Sequence, residues 1–328
     1  MNILVIGGTR FVGRTLVETA IGQGHSLTLF NRGKSNPDLF PDTERITGDR
    51  DNDIELLKGR KWDVVVDTCG YVPRIVKKSA AILKDSVNQY IFISTLNVYA
   101  DFSKRGIDED SPLGKMEDEK VEEVTGETYG PLKVLCENVV REIYPERSTT
   151  LRCGLIVGPY DPTDRFTYWP ARVQRGGEIL CPSPPHMQVQ FIDARDLADF
   201  VLWSAEKKRY GEYNTTGPEK ELTMQEFLDL CNAQTENKAS MTWVSEEFIT
   251  SNEVGHIPMW TPKDWRGIFE VNVTKGIRAG LKFRPTDKTI TETLAWHATR
   301  PSDYEMKVGL KPEKEIDLLA KWHNSKKK

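Results

Sequence analysis

Short apolar runs alternate with amphipathic segments through the first half of the chain. Strands are predicted at residues 2–6, 26–30, 44–47, 62–68, 89–95 and 149–157, and helices at residues 12–22, 73–84 and 129–144. The run WDVVVDT is continuously apolar, as is typical of a strand buried on both faces. Because such alternation requires right-handed crossovers, it predicts an α/β fold: a doubly wound parallel sheet, or Rossmann fold, with helices on both faces.

This regular alternation stops after about residue 158, where proline and tryptophan become denser. We therefore expect a dinucleotide-binding domain at residues 1–158 and a smaller mixed α/β substrate lobe at residues 159–187 and 216–328. A strand-like stretch at 188–192 and an amphipathic helix at 193–205 predict that the chain returns to the first domain near 188–215. The boundary between the lobes is where a substrate cleft is expected.

The first strand runs directly into a glycine-rich turn and a helix, MNILVIGGTRFVG. Glycine allows a tight turn and close approach of a phosphate, and a helix N-terminus presents free N–H groups and a positive dipole end to the anion. This arrangement predicts a dinucleotide pyrophosphate site. The residues expected to contact the cofactor there are Gly7, Thr9, Arg10, Phe11, Val12 and Gly13.

Tyr129 and Lys133 are the candidate chemical groups. Four residues apart on one predicted helix, they share a face, so the ammonium is expected to lower the pKa of the phenol, with a bound nicotinamide adding positive charge. Thr95 ends a buried strand at the carboxyl edge of the sheet, where its hydroxyl can hold a substrate oxygen beside the tyrosine. Tyrosine and lysine also occur at this spacing by chance, and Thr95 is what favours the catalytic interpretation.

Composition narrows the class of protein. The 328 residues include 45 basic and 49 acidic side chains, a net charge of −4 that gives no electrostatic case for binding nucleic acid or membranes. Five scattered cysteines argue against a disulfide framework or a metal site and favour a reducing compartment. Because Met1 leads straight into a strand, no leader segment is expected. We therefore expect a cytoplasmic protein that acts on a small molecule.

Five segments carry a resemblance to a known family: GGTRFVG, ISTLNVYA, YGPLK, LRCGLIVGP and FIDARDLA. In this order they resemble the extended short-chain dehydrogenase/reductase family of NAD-dependent epimerases and dehydratases, over roughly residues 1–220. The resemblance implies that Thr95, Tyr129 and Lys133 are the hydroxyl, acid/base and cofactor-ribose positions.

The same resemblance assigns three further cofactor contacts. It implies that Asp49 faces the adenine, and that the backbone at Cys69 and Gly70 lies close to the cofactor. An Asx turn at Asp49 and a small buried side chain at Cys69 are the alternative interpretations.

Departures from the family pattern bear on the cofactor. Arg10 replaces the middle glycine, and the second strand is followed by Asn31-Arg32-Gly33-Lys34 instead of the acidic residue that bonds the ribose of NAD. Arg10, Asn31 and Arg32 would suit a 2′-phosphate, so we expect NADP, with NAD as the alternative. Equally, one arginine could be a surface residue and the other paired with a carboxylate.

The reaction class stays open between a reductase and an epimerase with tightly bound NAD, acting on a sugar or sugar nucleotide. Leu96-Asn97 stands where family dehydratases carry an Asp-Glu pair, which argues against a sugar 4,6-dehydratase. The GGTRF loop is also similar to that of chloroplast stem-loop-binding proteins, so an RNA-binding protein on the same fold is a further alternative. The sequence permits a homodimer but does not specify the oligomeric state.

The segment PYDPTDRFTYWPARV supplies most of the substrate candidates. Arg165 or Arg172 could hold a phosphate, and Trp169 could stack on a ring; Asn97, next to Thr95, completes the set. We expect aromatic side chains of this segment to form a wall of the cleft. For each residue alone, a surface charge or a place in the core of the lobe is the alternative.

Overall fold

The computed structural model describes residues 1–236 and 238–326 and contains a central parallel β-sheet. The strands of the described residues are β1 (Asn2–Ile6), β2 (Ser26–Asn31), β3 (Glu44–Thr47), β4 (Trp62–Asp67), β5 (Val87–Thr95), β6 (Ser148–Cys153), β7 (Ile156–Val157), β8 (Gly177–Pro182), β9 (Ile192–Asp193), β10 (Gly211–Thr215) and β11 (Ala239–Val244). Seven of them form the main sheet in the order β10-β6-β5-β4-β1-β2-β3, and every neighbouring pair is parallel. The strand order reverses between β1 and β4, the point at which open α/β sheets bind ligands.

Helices cover both faces of this sheet. The helices of the described residues are α1 (Phe11–Gly22), α2 (Pro73–Leu83), α3 (Tyr129–Ile143), α4 (Tyr168–Gln174), α5 (Ala194–Glu206), α6 (Met224–Ala233), α7 (Glu246–Ser251), α8 (Thr274–Ala279), α9 (Thr286–His297) and α10 (Pro312–Ser325). Helix α1 packs against α5, and α2 packs against α3. The predicted doubly wound α/β fold is confirmed. In the described part of the chain, no helix combines the length and apolarity needed to cross a membrane.

Alternation along the strands explains the two layers. In β1, Ile3 and Val5 pack into the apolar cluster under α1 and α5, whereas Leu4 and Ile6 pack into the cluster on the opposite face. All four side chains are at most 1% exposed. A third apolar cluster, which includes Trp169, lies outside the main sheet among α4, α6 and the two-stranded sheet of β8 and β11, and we call the part of the structure around this cluster the second lobe.

Two predicted strands differ from the structure. The predicted strand 149–157 is two strands, because the chain turns at Gly154 and β7 leaves the main sheet to pair with β9. A Cβ at Gly154 would lie 2.4 Å from Thr216 Oγ1, so the turn needs glycine. The strand-like stretch 188–192 does not join the main sheet: Gln188 and Phe191 form isolated bridges, and β10 occupies the free edge of β6 instead. An alternating pattern of apolar and polar residues predicts an extended segment, but it does not predict which strand that segment pairs with.

Candidate functional site

The glycine turn between β1 and α1 is built on close backbone contacts. Gly7 and Gly8 have φ values of +111° and +94°, in the region that favours glycine. A Cβ on Gly7 would lie 2.3 Å from Thr68 Oγ1, and a Cβ on Gly13 would lie 2.7 Å from the backbone nitrogen of Gly8. Larger residues would push the first turn of α1 away from the loop. The three glycines therefore bring the N-terminus of α1 to the edge of the sheet where β1 and β4 end.

Two asparagine side chains hold this turn in place. Asn31, at the end of β2, donates to the carbonyl of Gly7 at 2.9 Å and accepts from the N–H of Gly33 at 3.0 Å. Asn36 donates to the carbonyl of Thr9 at 2.7 Å, and Thr9 itself is buried. Both side-chain amides bind backbone groups of the protein. The observed hydrogen bonds of Asn31 therefore hold the glycine turn in its conformation.

Arg10 and Arg32 are exposed on either side of the turn. Arg10 precedes α1 and forms no side-chain cap, and Phe11 and Val12 behind it are half-buried. Within residues 1–236 and 238–326, neither arginine forms an ion pair. The described residues therefore give no support to the alternative that one of these two arginines is paired with a carboxylate.

Asp49 lies in the loop after β3 and forms an Asx turn. Its carboxylate accepts from the N–H of Asp51 at 2.9 Å, and its own N–H donates to the carboxylate of Asp53 at 2.7 Å. These hydrogen bonds are those of the alternative interpretation of Asp49, an Asx turn. A role facing the adenine stays a prediction.

Lys133 is bound to the backbone at the ends of two strands. Its Nζ donates to the carbonyls of Gly70 at 2.8 Å and Ile93 at 2.6 Å, and the residue is 3% exposed. Burial lowers the pKa of Lys133. A Cβ on Gly70 would lie 2.5 Å from the ring of Phe92, so the turn after β4 is as tightly packed as the first glycine turn. Cys69 beside it is partly buried, and burial raises the pKa of its thiol, which fits a structural residue.

Tyr129 and Thr95 meet where α3 packs on the end of β5. Tyr129 begins α3, and a Cβ on the next residue, Gly130, would lie only 2.0 Å from the carbonyl oxygen of Asn97. This close approach brings the start of the helix onto the short 3-10 helix Leu96–Val98 that follows Thr95. The sequence could have indicated this contact, because glycine within the first turn of a helix is otherwise unfavourable.

The expected pKa shift of Tyr129 is corrected by the structure. Burial raises the pKa of its phenol, and interaction with the Thr95 hydroxyl only opposes that shift. The ammonium of Lys133 donates to the carbonyls of Gly70 and Ile93 and not to the phenol. Tyr129 is therefore a protonated phenol at neutral pH, suited to donating a proton.

Sequence reasoning missed Tyr71. Its ring centroid lies 6.4 Å from that of Tyr129 and 5.6 Å from Nζ of Lys133, and its side chain is 46% exposed. Burial of part of the side chain raises the pKa of Tyr71, while the nearby charge of Arg10 opposes the shift. The signal was positional: Tyr71 follows Gly70 at the carboxyl end of β4, the edge to which the other candidates belong.

Two of the four substrate candidates lie at this site. Asn97 is exposed, and its N–H donates to Thr95 Oγ1 at 3.2 Å. Arg165 is exposed, and its charge opposes the rise in the pKa of Tyr129. Nε of Arg165 donates to Thr163 Oγ1 at 3.1 Å.

The other two substrate candidates, Trp169 and Arg172, are core residues. Trp169 is fully buried, and its indole N–H donates to the carbonyl of Pro258 at 2.8 Å. Arg172 pairs with Glu315 at 2.6 Å. The predicted aromatic wall is corrected as well, since Phe166 belongs to the same buried cluster. Aromatic and basic residues on a short helix suggest a binding surface, but the sequence does not tell which face of α4 is covered.

Comparison with known proteins finds a family model that matches part of the chain. Residues 79–216 match the model of the NAD dependent epimerase/dehydratase family, a region that includes Thr95, Tyr129 and Lys133. The chain is 27% identical to the chloroplast stem-loop binding protein of 41 kDa b from Arabidopsis thaliana over 262 residues, which are 70% of this chain and 62% of that protein. It is 30% identical to an N-acetyl-alpha-D-glucosaminyl-diphospho-ditrans,octacis-undecaprenol 4-epimerase from Escherichia coli O157:H7, over 46% of this chain and 47% of that one.

The matched regions span less than two thirds of the length of either relative. Among solved structures, UDP-glucuronic acid 4-epimerase from Bacillus cereus in complex with NAD superposes with a TM-score of 0.65 at 15% identity, covering 90% of this chain and 98% of that one. At this identity the superposition establishes the fold. The chain therefore shares its fold with this structure, and its similarity to the NAD dependent epimerase/dehydratase family extends over residues 79–216.

Proposed function

We propose that this protein is an NAD(P)-dependent oxidoreductase that interconverts a hydroxyl and a carbonyl of a small substrate. The observation that carries the proposal is the placement of Tyr129 beside Thr95, at the sheet edge where the glycine turn and Lys133 also lie. A protonated phenol beside a hydroxyl can bind a carbonyl oxygen and supply its proton. Burial keeps the phenol protonated at neutral pH.

The glycine turn fits a dinucleotide, because the close contacts at Gly7, Gly8 and Gly13 hold the N-terminus of α1, with its free N–H groups, at the edge of the sheet. The N-terminal turn of α1 would hold the pyrophosphate, and Lys133 the ribose. A bound nicotinamide would supply or accept the hydride. In this arrangement Thr95 orients the substrate oxygen, and Tyr129 donates or takes up the proton that accompanies the transfer. Lys133 maintains the turn after β4 through Gly70.

A nucleoside diphosphate sugar is the substrate class that we propose. The B. cereus structure is of a UDP-sugar epimerase, and the related E. coli protein is named as a 4-epimerase of a sugar joined through a diphosphate to undecaprenol, so both names contain a sugar diphosphate. In this chain Arg165 is exposed near Tyr129 and free of carboxylates among the described residues, so its guanidinium can bind a phosphate. The proposal covers a reductase and an epimerase alike.

We propose NADP as the preferred cofactor, on the basis of exposed Arg32 and Arg10 and the absence of a carboxylate at the end of β2. Calorimetric titration should give a lower Kd for NADP than for NAD, and Arg32→Asp should reverse the order. Arg175→Asp, at an exposed arginine in the second lobe, is the matched control and should leave the preference unchanged. Tighter binding of NAD by the parent protein would contradict the NADP preference and leave the oxidoreductase proposal in place.

RNA binding is the second candidate, favoured by the similarity to the chloroplast stem-loop binding protein. Mass spectrometry of whatever is released from the purified protein separates the two candidates, because a dinucleotide and an RNA differ in mass. Parallel titrations with NAD, NADP and a stem-loop RNA give their affinities. Binding of the RNA without binding of either dinucleotide would overturn the oxidoreductase proposal.

A further inference from the structure

Arg50 is a buried cation that sequence reasoning overlooked. It follows Asp49 in the loop after β3, and its side chain is 12% exposed. One guanidinium nitrogen donates to Oδ1 of Asp67 at 2.9 Å. The other donates to Oδ2 of Asp67 at 2.7 Å and to the hydroxyl of Ser79 in α2 at 2.6 Å. The guanidinium therefore joins the loop after β3 to the end of β4 and to α2.

Asp67 is fully buried at the last position of β4, and four donors surround it. Besides the two from Arg50, its carboxylate accepts from the Tyr90 hydroxyl at 2.8 Å and from the N–H of Cys69 at 3.1 Å. Burial opposes ionisation, yet the charge of Arg50 holds the pKa of Asp67 below its usual value. The carboxylate is thus charged, and one of its oxygens fixes the turn that begins at Cys69.

This turn connects the ion pair to the catalytic candidates. The Thr68 hydroxyl donates to the carbonyl of Ile6, directly before the glycine turn, at 2.8 Å. The carbonyl of Gly70 receives the ammonium of Lys133. A shift of the turn at residues 68–70 would therefore move the glycine turn and the anchor of Lys133 together.

Stability alone is a weak reason for such a pair. A buried ion pair often contributes little net stability, because the desolvation of two charges offsets their attraction. Here Nε of Arg50 is also buried without a hydrogen-bond partner among the described residues, which adds a further cost. These costs favour a role in holding the surrounding loops in one arrangement.

We propose that Arg50 and Asp67 are positioning residues for the dinucleotide. Their ion pair keeps the loop at residues 49–51 in register with the turn at residues 68–70, and so sets the carbonyl that anchors Lys133. The inference rests on the proposed function, since it assumes that a dinucleotide binds at this edge of the sheet. Neither residue needs to touch the cofactor.

The test compares two buried ion pairs, one on each lobe. Arg50→Met removes the pair described above, and Arg172→Met removes the similarly buried pair with Glu315 in the second lobe. Each variant is titrated calorimetrically with NADP and NAD, and its urea midpoint is measured so that all titrations use folded protein. We expect Arg50→Met to weaken dinucleotide binding by about tenfold or more, which corresponds to about 1.4 kcal/mol, and Arg172→Met to leave the affinity unchanged.

Two milder variants keep the test decisive if Arg50→Met does not fold. Arg50→Lys keeps the charge but not the two-pronged contact, and should restore part of the affinity lost in Arg50→Met. Tyr90→Phe removes a single donor to Asp67 and should weaken binding to a smaller extent.

The possible outcomes distinguish failure of this inference from failure of the proposed function on which it rests. A parent protein that binds dinucleotide while its folded Arg50 and Tyr90 variants bind equally well overturns the inference alone. Equal losses in the Arg50 and Arg172 variants would also overturn it, because they would reveal a general effect of destabilisation. A parent protein that binds neither dinucleotide overturns the proposed function and the inference together.

Discussion

Replacing Gly130 with alanine should separate Tyr129 from Thr95 without touching either residue. The added Cβ would lie 2.0 Å from the carbonyl oxygen of Asn97 and 2.9 Å from its carbonyl carbon. Ordinary van der Waals contact begins at 3.4 Å, so the start of α3 and the backbone at Asn97 must move apart by about 1.4 Å to relieve the contact at 2.0 Å. Because the opposing atoms are backbone, no change of rotamer relieves the clash.

The displacement falls on the two residues that the proposed mechanism uses. Tyr129 is the neighbour of Gly130 in α3, and Asn97 follows Thr95 by two residues. A misplacement of about 1 Å can reduce turnover by about 10². That loss corresponds to about 2.7 kcal/mol of activation free energy. Overpacking at the same position should also lower the free energy of unfolding, by about 1–3 kcal/mol.

The assay compares Gly130→Ala with Gly126→Ala, whose Cβ would have no atom within 4 Å. Turnover of a nucleoside diphosphate sugar is followed by the absorbance of the reduced nicotinamide, or by product chromatography if the reaction is an epimerisation. Dinucleotide affinity and the urea midpoint are measured beside it. Gly126→Ala should behave as the parent protein. A folded Gly130→Ala variant with the turnover of the parent would refute the argument that this contact sets the catalytic geometry.

Two further predictions follow from buried ionisable groups. Lys133→Met should lower both turnover and dinucleotide affinity, measured by steady-state kinetics and calorimetry, because it removes the ammonium from the carbonyls of Gly70 and Ile93; an unchanged affinity would contradict this role. For Asp161, burial raises the pKa, so the native state holds its proton more tightly than the unfolded state, and stability should fall as pH rises above about 4. Asp161→Asn should remove this part of the pH dependence in urea unfolding measured from pH 4 to about 7; identical pH profiles would argue against it.

The parts of the site that sequence predicts well are those set by local chemistry. The glycine turn follows a strand and precedes a helix, so the positions of Gly7 and Gly13 relative to the sheet edge follow from a few consecutive residues. Tyr129 and Lys133 share a helix, and Thr95 ends a strand, so their common location follows from the fold class. The bounds of the first three helices were predicted to within one residue for the same reason.

The parts that sequence did not predict depend on contacts between distant segments. Arg50 and Asp67 meet only because β3 and β4 both end at one edge of the sheet, and nothing near either residue signals the pairing. Trp169 looks like a ligand platform in sequence, and its burial becomes visible only when α4 is packed in the second lobe. The ammonium of Lys133 was expected to lower the pKa of Tyr129, but it donates to the backbone carbonyls of Gly70 and Ile93.

The central claim is that Tyr129 is the acid/base group of a dinucleotide-dependent reaction, and Tyr129→Phe tests it most directly. The variant removes one hydroxyl and leaves the packing of the ring. Turnover and dinucleotide affinity should be measured on the same preparations of parent and variant. The account predicts a loss of turnover of about 10² to 10⁴ with nearly unchanged affinity. A variant that binds dinucleotide as the parent does and keeps more than about a tenth of its turnover would contradict the account.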